Sequence, residues 1–418
     1  MNPFTFKDGR MYAEDVAVHD IAEQYGTPLF VYSRAALEHQ WKLLDSAFGS
    51  HPHSIYYAVK ANSNIAVLNV LARLGSGFDI VSEGELRRVL LAGGEADNVV
   101  FSGVAKSKQE LRFAMQQGVR CINIESVAEL DRVQSVASEL QVTASIAFRV
   151  NPDVDPQTHP YISTGMDEAK FGVNMEAAFS AYQKAEQLPN IEIHSIACHI
   201  GSQITKTDPF SDALDRVLNL VERLADTGIK IKQLDLGGGL GINYQGETPP
   251  SADSYVKAML DGIAKRGIHL PIAIEPGRFI AGNSGILLSR VEFLKQNATK
   301  RFAIVDAGMN DLLRPSLYQA HHDIVNTQAR NDCEARTYDV VGPVCESADV
   351  LGYDRELSLA SGDLLAVKSC GAYGFVMAGN YNSRCRPAEV MVDGESCHLI
   401  RERETFEELT RGEHLLTS

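Results

Sequence analysis

From Ser54 to Arg278 the chain repeats one hydrophobic pattern. A short apolar run, rich in Val, Ile, Phe and Tyr, is followed by a stretch with apolar residues at three-and-four spacing. The runs are "SIYYAVKA", "SGFDIVS", "NVVFSG", "CINIES", "ASIAFRVNP", "IHSIACHIGS", "QLDLGGG" and "PIAIEPGR". Several are apolar on both faces, as in a parallel sheet covered by helices. In "FSDALDRVLNLVERLADTG", Leu214, Val217, Leu218, Val221 and Leu224 form one helical stripe, with Asp208 or Ser211 as the expected cap and Gly228 as the stop. "SEGELRRVLLAGG" opens on a serine cap and closes on glycines in the same way. Eight strand–helix units in about 225 residues predict an α/β fold, a (β/α)8 barrel.

After about residue 285 the pattern changes to strand-like pieces separated by turn residues: "ILLSRVEFLKQ", "RFAIVDAG", "RTYDVVGP", "LLAVKSCGAYGFVMAG", "RPAEVMVDG" and "SCHLIRE". They predict a mostly-β second domain, sandwich- or barrel-like. "FTFKDGRMYAED" reads as a short hairpin before a helix, joining that second domain. The expected division is residues 28–280 for the barrel, and 1–27 with 281–418 for the β domain.

Composition narrows the function. Of 418 residues, 44% are hydrophobic and 22% charged, an ordinary globular balance, and the formal net charge of -15 disfavours nucleic acid or an anionic membrane as partner. No run approaches the ~20 apolar residues of a membrane span. No basic region followed by an apolar stretch marks a signal peptide. Seven cysteines without a CxxC pair argue against a disulfide framework and fit a reducing cytoplasm.

Barrel active sites lie at the C-terminal ends of the strands. There the polar residues collect: Lys60, then Asp79 and Ser82, Ser102, Glu125, Arg149 and Asn151, His199 with Gly201 and Ser202, glycines 237–239 and Gly241, and finally Glu275 and Arg278. A catalytic metal is disfavoured: there is no HExxH, and His194 and His199 are five apart on one strand, hence on opposite faces. "DLGGGLG" is a poor dinucleotide fingerprint, since Ile242 stands where the third glycine belongs. It reads better as an anion nest, with Gly201 and Ser202 adjoining it. A phosphate site, a rim lysine and an inward carboxylate together suggest pyridoxal 5'-phosphate. Lys60 would form the Schiff base, Glu275 would face the pyridine nitrogen, and His199 would stack on the ring.

At these residues the chain resembles a known family. "YYAVKAN", "GFDIVSEGEL", "HIGSQ", "LDLGGGLG", "EPGR", "GPVCES" and "GAYG" are similar, in order, to motifs of the barrel-type, alanine-racemase-like pyridoxal-phosphate decarboxylases. The resemblance runs from Tyr12 to the end of the β domain. It implies a homodimer with active sites at the interface and a small-molecule amino-acid substrate. It also implies that Lys60 carries the cofactor, with Asp79, His199, Ser202, Gly239, Glu275, Gly277, Arg278 and Tyr373 binding it. Cys345 is implied as proton donor; a free thiol, with a pKa of about 8.5, can serve as an acid. Arg278, Arg314, Tyr318, Glu346 and Tyr373 are implied to bind substrate, with Cys345 and Glu346 supplied by the partner subunit. Ala348, after "CES", stands where glycine or serine is expected.

Relatives acting on ornithine, arginine or lysine receive a cationic distal end. Arg314 in "LLRPSLY" instead suits a distal carboxylate, as a bidentate pair. The resemblance therefore implies decarboxylation of meso-2,6-diaminopimelate to L-lysine and CO2, the last step of lysine biosynthesis. The alternatives are a decarboxylase of the ornithine, arginine or lysine type, a racemase, whose usual tyrosine motif is absent, and a non-enzymatic pyridoxal-phosphate-binding protein, which would leave the β domain unexplained.

Overall fold

The computed structural model describes residues 2–155, 170–330 and 332–416. Contacts divide the chain into two compact units. One comprises Gln40–Asn243 and Glu247–Ile280; the other comprises Met1–His39, Tyr244–Gly246 and Ala281–Ser418.

In the first unit the apolar runs become eight parallel strands among the described residues: His53–Ala58, Gly77–Ile80, Val99–Phe101, Cys121–Ile124, Ala144–Asn151, Ile191–Cys198, Gln233–Asp235 and Ile272–Ile274. Each pairs with the next, and the eighth pairs with the first through Ile272↔His53 and Ile274↔Ile55, closing the barrel. The helix Asp208–Asp226 buries all five residues of its stripe. Each such side chain contributes about 1.5–3 kcal/mol, an upper estimate. Its start differs from expectation. Thr207 is the N-cap and makes no side-chain cap bond, with Pro209 in the first turn. Neither Asp208 nor Ser211 caps it, because a proline that lacks an N–H already removes one of the donors a cap would satisfy. Gly228 follows the helix end at φ +90, where a side chain would be strained.

The second unit is mostly β. The hairpin Phe4–Lys7/Arg10–Ala13 and helix Val18–Tyr25 belong to it. So does the strand Leu29–Ser33, which runs antiparallel to the start of Gly285–Gln296 and parallel to Ala388–Asp393. The expected boundary at residue 28 therefore falls too early: the chain leaves this unit only after His39. Leu29 and Val31 enter one apolar cluster, Phe30 and Tyr32 the other, so the strand is buried on both faces. The long strand Gly285–Gln296 serves three neighbours, one of them Leu364–Val367, which runs antiparallel to it from Leu287 to Arg290. It pairs with Leu29–Ser33 up to Leu288 and with Arg301–Val305 from Val291, with a register shift between Val291 and Phe293.

Candidate active site

Lys60 sits in a single 3-10 turn, Val59–Ala61, just past the first barrel strand. Register places Ala58 beside Asp79 of the second strand, so the ammonium meets a carboxylate at once. Lys60 Nζ donates to Asp79 Oδ2 at 2.6 Å, and the Asp79 side chain is fully buried. Asp79 Oδ1 is buried without a hydrogen-bond partner among the described residues. The Lys60 side chain is 37% exposed, so its head is reachable while its partner is not.

A second acidic centre lies at the ends of strands seven and eight. Glu275 follows the eighth strand; its N–H donates to Gly237 O at 2.7 Å, and Asn123 Nδ2 donates to its Oε1 at 3.4 Å. Burial lifts the Glu275 carboxyl well above the usual range, and the charges of Asp235 and Asp79 lift it further. Burial also raises Asp235, to about 6, against the pull of the Gly237 N–H. The two carboxyls act on one another: Glu275 pulls the Asp235 pKa down, and the Asp235 charge pushes that of Glu275 up. Asp235 was not among the residues expected at the site. Its sequence signal was a lone acid inside an apolar strand, two residues before the glycine run.

His199 is held by the backbone: the Gly238 N–H donates to its Nδ1 at 3.1 Å, which leaves the proton of the neutral ring on Nε2. Burial, then the Arg149 and Lys60 charges, keep the imidazole pKa well below its ordinary value. The glycines allow close approach. A Cβ on Gly238 would lie 2.2 Å from Glu275 O, and one on Gly239, itself at φ +114, 2.5 Å from Gly201 O. A Cβ on Gly277 would lie 2.9 Å from Ala61 Cβ, so the "EPGR" segment presses on the Lys60 turn. Ser202 Oγ accepts from Arg278 Nε at 3.2 Å and from Nη2 at 2.9 Å. A cavity of about 170 Å3 is lined by Lys60, Asn123, Arg149, Phe171, His199 and Glu275 among others. Two rim residues have structural work. Ser82 caps helix Glu83–Leu91 by accepting from the Glu85 N–H. Glu125 accepts from Arg149 and from the N–H groups of Gly103 and Gly172.

Lys60, Asp79, His199, Ser202, Gly239, Glu275, Gly277 and Arg278 thus gather in the barrel unit. The other expected site residues belong to the β unit. Arg314 opens helix Arg314–Tyr318 and is 6% exposed, so it is no surface arginine. Its Nη1 meets His322 Nε2 at 2.8 Å, and its guanidinium lies 4.7 Å from the Tyr244 ring centroid. Tyr318 ends that helix, half-buried. Cys345 is exposed, with its N–H on Asn382 Oδ1 at 3.1 Å. Glu346 Oε1 accepts from the Tyr381 hydroxyl. Tyr373 holds φ +57, an unusual conformation for an aromatic residue and of the kind found where a site fixes a side chain.

Residues 34–282 match the family described as "Pyridoxal-dependent decarboxylase, pyridoxal binding domain". The diaminopimelate decarboxylase of Pseudomonas aeruginosa is 55% identical over 416 residues, covering 100% of both chains. The chain belongs to the diaminopimelate decarboxylase family. A solved diaminopimelate decarboxylase from M. jannaschii, in complex with L-lysine, superposes with a TM-score of 0.95 at 37% identity, covering 99% of this chain and 98% of that one. The one from Helicobacter pylori, complexed with L-lysine, gives 0.91 at 39% identity over 94% and 98%.

Diaminopimelate decarboxylases use pyridoxal phosphate, and the barrel unit fits that group. It offers a reachable amine on Lys60, a buried Asp79 oxygen in need of a donor, and a protonatable carboxyl pair. A neutral imidazole and a backbone stripped of Cβ atoms complete the set.

Proposed function

We propose that this chain removes the α-carboxylate of meso-2,6-diaminopimelate, giving L-lysine and CO2. The observation that carries the proposal is full-length membership in the diaminopimelate decarboxylase family together with the Lys60, His199 and Glu275 cavity. When bound, pyridoxal phosphate supplies an electrophilic carbon for amines and a ring that withdraws electrons from the substrate α-carbon.

The chain's own residues do the rest. Lys60 anchors the cofactor, with its ammonium held near the site by Asp79 until then. Glu275, backed by Asp235, holds a proton at the ring nitrogen. His199, neutral and fixed by Gly238, covers a ring face. Ser202, Arg278, Gly239, Gly277 and Tyr373 hold the phosphate end. Arg314, with Arg278 and Tyr318, takes the distal carboxylate, where a planar fork matches two oxygens. Glu346 receives the distal ammonium. As the bond from Cα to the carboxylate breaks and CO2 leaves, Cys345 Sγ gives its proton to Cα.

The assembly is a homodimer in which Cys345 and Glu346 complete the partner's site; their placement on an exposed loop supports this. No helix among the described residues is long and apolar enough to cross a membrane, and the cysteines are free thiols, which supports a place in the cytoplasm. The test is mass spectrometry of products from a panel of diamino acids incubated with the holoenzyme. Lysine from diaminopimelate alone is expected. Cadaverine or putrescine as the main product, from lysine or ornithine, would overturn it.

A further inference from the structure

A buried guanidinium needs partners that fix its plane. For Arg314 one partner is the Nε2 atom of His322, a residue with no exposed surface, and another is the Tyr244 ring. The far side of the imidazole decides its proton arrangement. His322 Nδ1 lies 2.7 Å from the Lys368 carbonyl oxygen, and a carbonyl oxygen can only accept. Nδ1 therefore carries the hydrogen, and Nε2 presents a lone pair to Arg314 Nη1.

The carbonyl is itself anchored. The Lys368 N–H donates to Asp323 O at 2.8 Å, and Val367 pairs with Ile324 in the adjoining ladder. The Tyr244 ring meets the imidazole edge-on, with centroids 5.3 Å apart at 78°. An imidazole lone pair and a ring face are both uncharged. They orient the guanidinium.

We propose that His322 is a positioning residue that sets substrate specificity: locked by the Lys368 carbonyl, it aims Arg314 at the substrate's distal carboxylate, and so rests on the substrate reading given for Arg314. Asparagine at this position keeps a donor near Nδ1 and loses the acceptor near Nε2. Glutamine places an amide oxygen near Nε2 and gives up the Lys368 bond.

The experiment measures kcat and KM of the holoenzyme for diaminopimelate and the preference for diaminopimelate over lysine. The variants are His322→Asn, His322→Gln, Arg314→Ala and the double variant Arg314→Ala/His322→Asn, with melting curves for each. Hydrogen bonds to charged groups set the scale, so Arg314→Ala should lose roughly 10- to 150-fold in kcat/KM, mainly in KM. His322→Asn should raise KM by roughly 10-fold with kcat nearly unchanged, and lower the preference by the same factor. His322→Gln should recover most of that loss, and the double variant should be no worse than Arg314→Ala.

Equal losses of kcat and KM in both histidine variants, with preference intact, would mean a merely structural role and overturn the proposal. Should His322→Asn not fold, a glutamine variant that loses the preference overturns it equally. An Arg314→Ala enzyme with parental KM and preference refutes the substrate reading itself. Loss in Arg314→Ala beside a parental His322→Asn refutes only the role of His322.

Discussion

The Lys60 ammonium and the Asp79 carboxylate stand 2.6 Å apart, one partly open to solvent and the other sealed in the second barrel strand. Removing Lys60 leaves a buried carboxylate without its counter-charge. Breaking a dry pair costs about 3–5 kcal/mol, and the exposure of Lys60 reduces this to roughly 1–3 kcal/mol. Urea unfolding of the cofactor-free protein should show that loss for Lys60→Met and much less for Lys60→Met/Asp79→Asn. In the intact holoenzyme, borohydride reduction and peptide mapping should find pyridoxyl on Lys60; label on another lysine would refute its role.

Asp235 and Glu275 give the cofactor-free protein a pH dependence of defined sign. Both carboxyls titrate higher folded than unfolded, Asp235 moving from 3.8 to about 6 and Glu275 rising well above its ordinary range. The folded state then binds more protons, so stability is present at low pH and lost as pH rises through about 6. Glu85 and Asp311, each raised to about 7, add the same sign, whereas His199 opposes it below 6.5. Comparing variants isolates the pair: Asp235→Asn should flatten the fall between about pH 4 and pH 6 in urea unfolding. An unchanged slope would mean the pair does not ionise there. Glu275→Gln should lower kcat of the holoenzyme on the order of 100-fold by withdrawing the charge aimed at the ring nitrogen.

Two glycines should respond oppositely to alanine. At Gly238 the new methyl meets the Glu275 carbonyl at 2.2 Å, and backbone must shift where the His199 tautomer is set. Gly238→Ala should lose most activity and cofactor retention, read by absorbance after gel filtration. At Gly84, inside helix Glu83–Leu91, the nearest atom is Ser82 Oγ at 3.7 Å. Gly84→Ala should stabilise by about 0.5–1 kcal/mol through helix propensity, with activity kept. Equal tolerance at both positions would show that the Gly238 segment is looser than its contacts indicate.

Shared sites in a homodimer predict complementation. Lys60→Ala and Cys345→Ala proteins, each inactive, should regain partial activity when their subunits are exchanged, because a hybrid holds one intact site. A mixture that stays inactive despite exchange, verified by mass-tagged subunits, would place both residues on one chain's site.

The barrel was legible because each strand and helix carries its own period, and because chemistry collects at one end of eight separate runs. Lys60, His199 and Glu275 stood out as polar residues closing apolar strands. Asp235 did not, since the glycines beside it drew attention to an anion nest; its significance depends on Glu275, a partner from another strand. Ser82 looked like a rim residue and is a cap, since the two roles share a residue type and a position. Leu29–Ser33 was assigned to the wrong unit because "LFVYS", apolar on both faces, suits a barrel as well as a β sheet. The strand Val350–Leu357 was not foreseen, because Gly352, Asp354 and Arg355 interrupt its pattern. Arg314 stood out in the sequence and is buried in the structure, but His322 and Tyr244 lie in loops with no periodicity to mark them.

The strand Leu29–Ser33 also constrains how the molecule can be made. It leaves the ribosome well before its neighbours, since Tyr32 pairs with Gly285 and Val31 with Val390. At ~5–20 residues per second, its two neighbours arrive about 13 to 70 s later. During that interval the Phe30/Tyr32 face and both edges of the strand stay uncovered while the barrel behind it is being translated, and only the Leu29/Val31 face can already meet Met11, Val18 and Ile21. Circular order, not length, is the bottleneck: a fragment of residues 281–418 lacks its central strand. The β unit can therefore form only when the two ends of the chain meet, and the barrel is the part that can fold while synthesis is still under way.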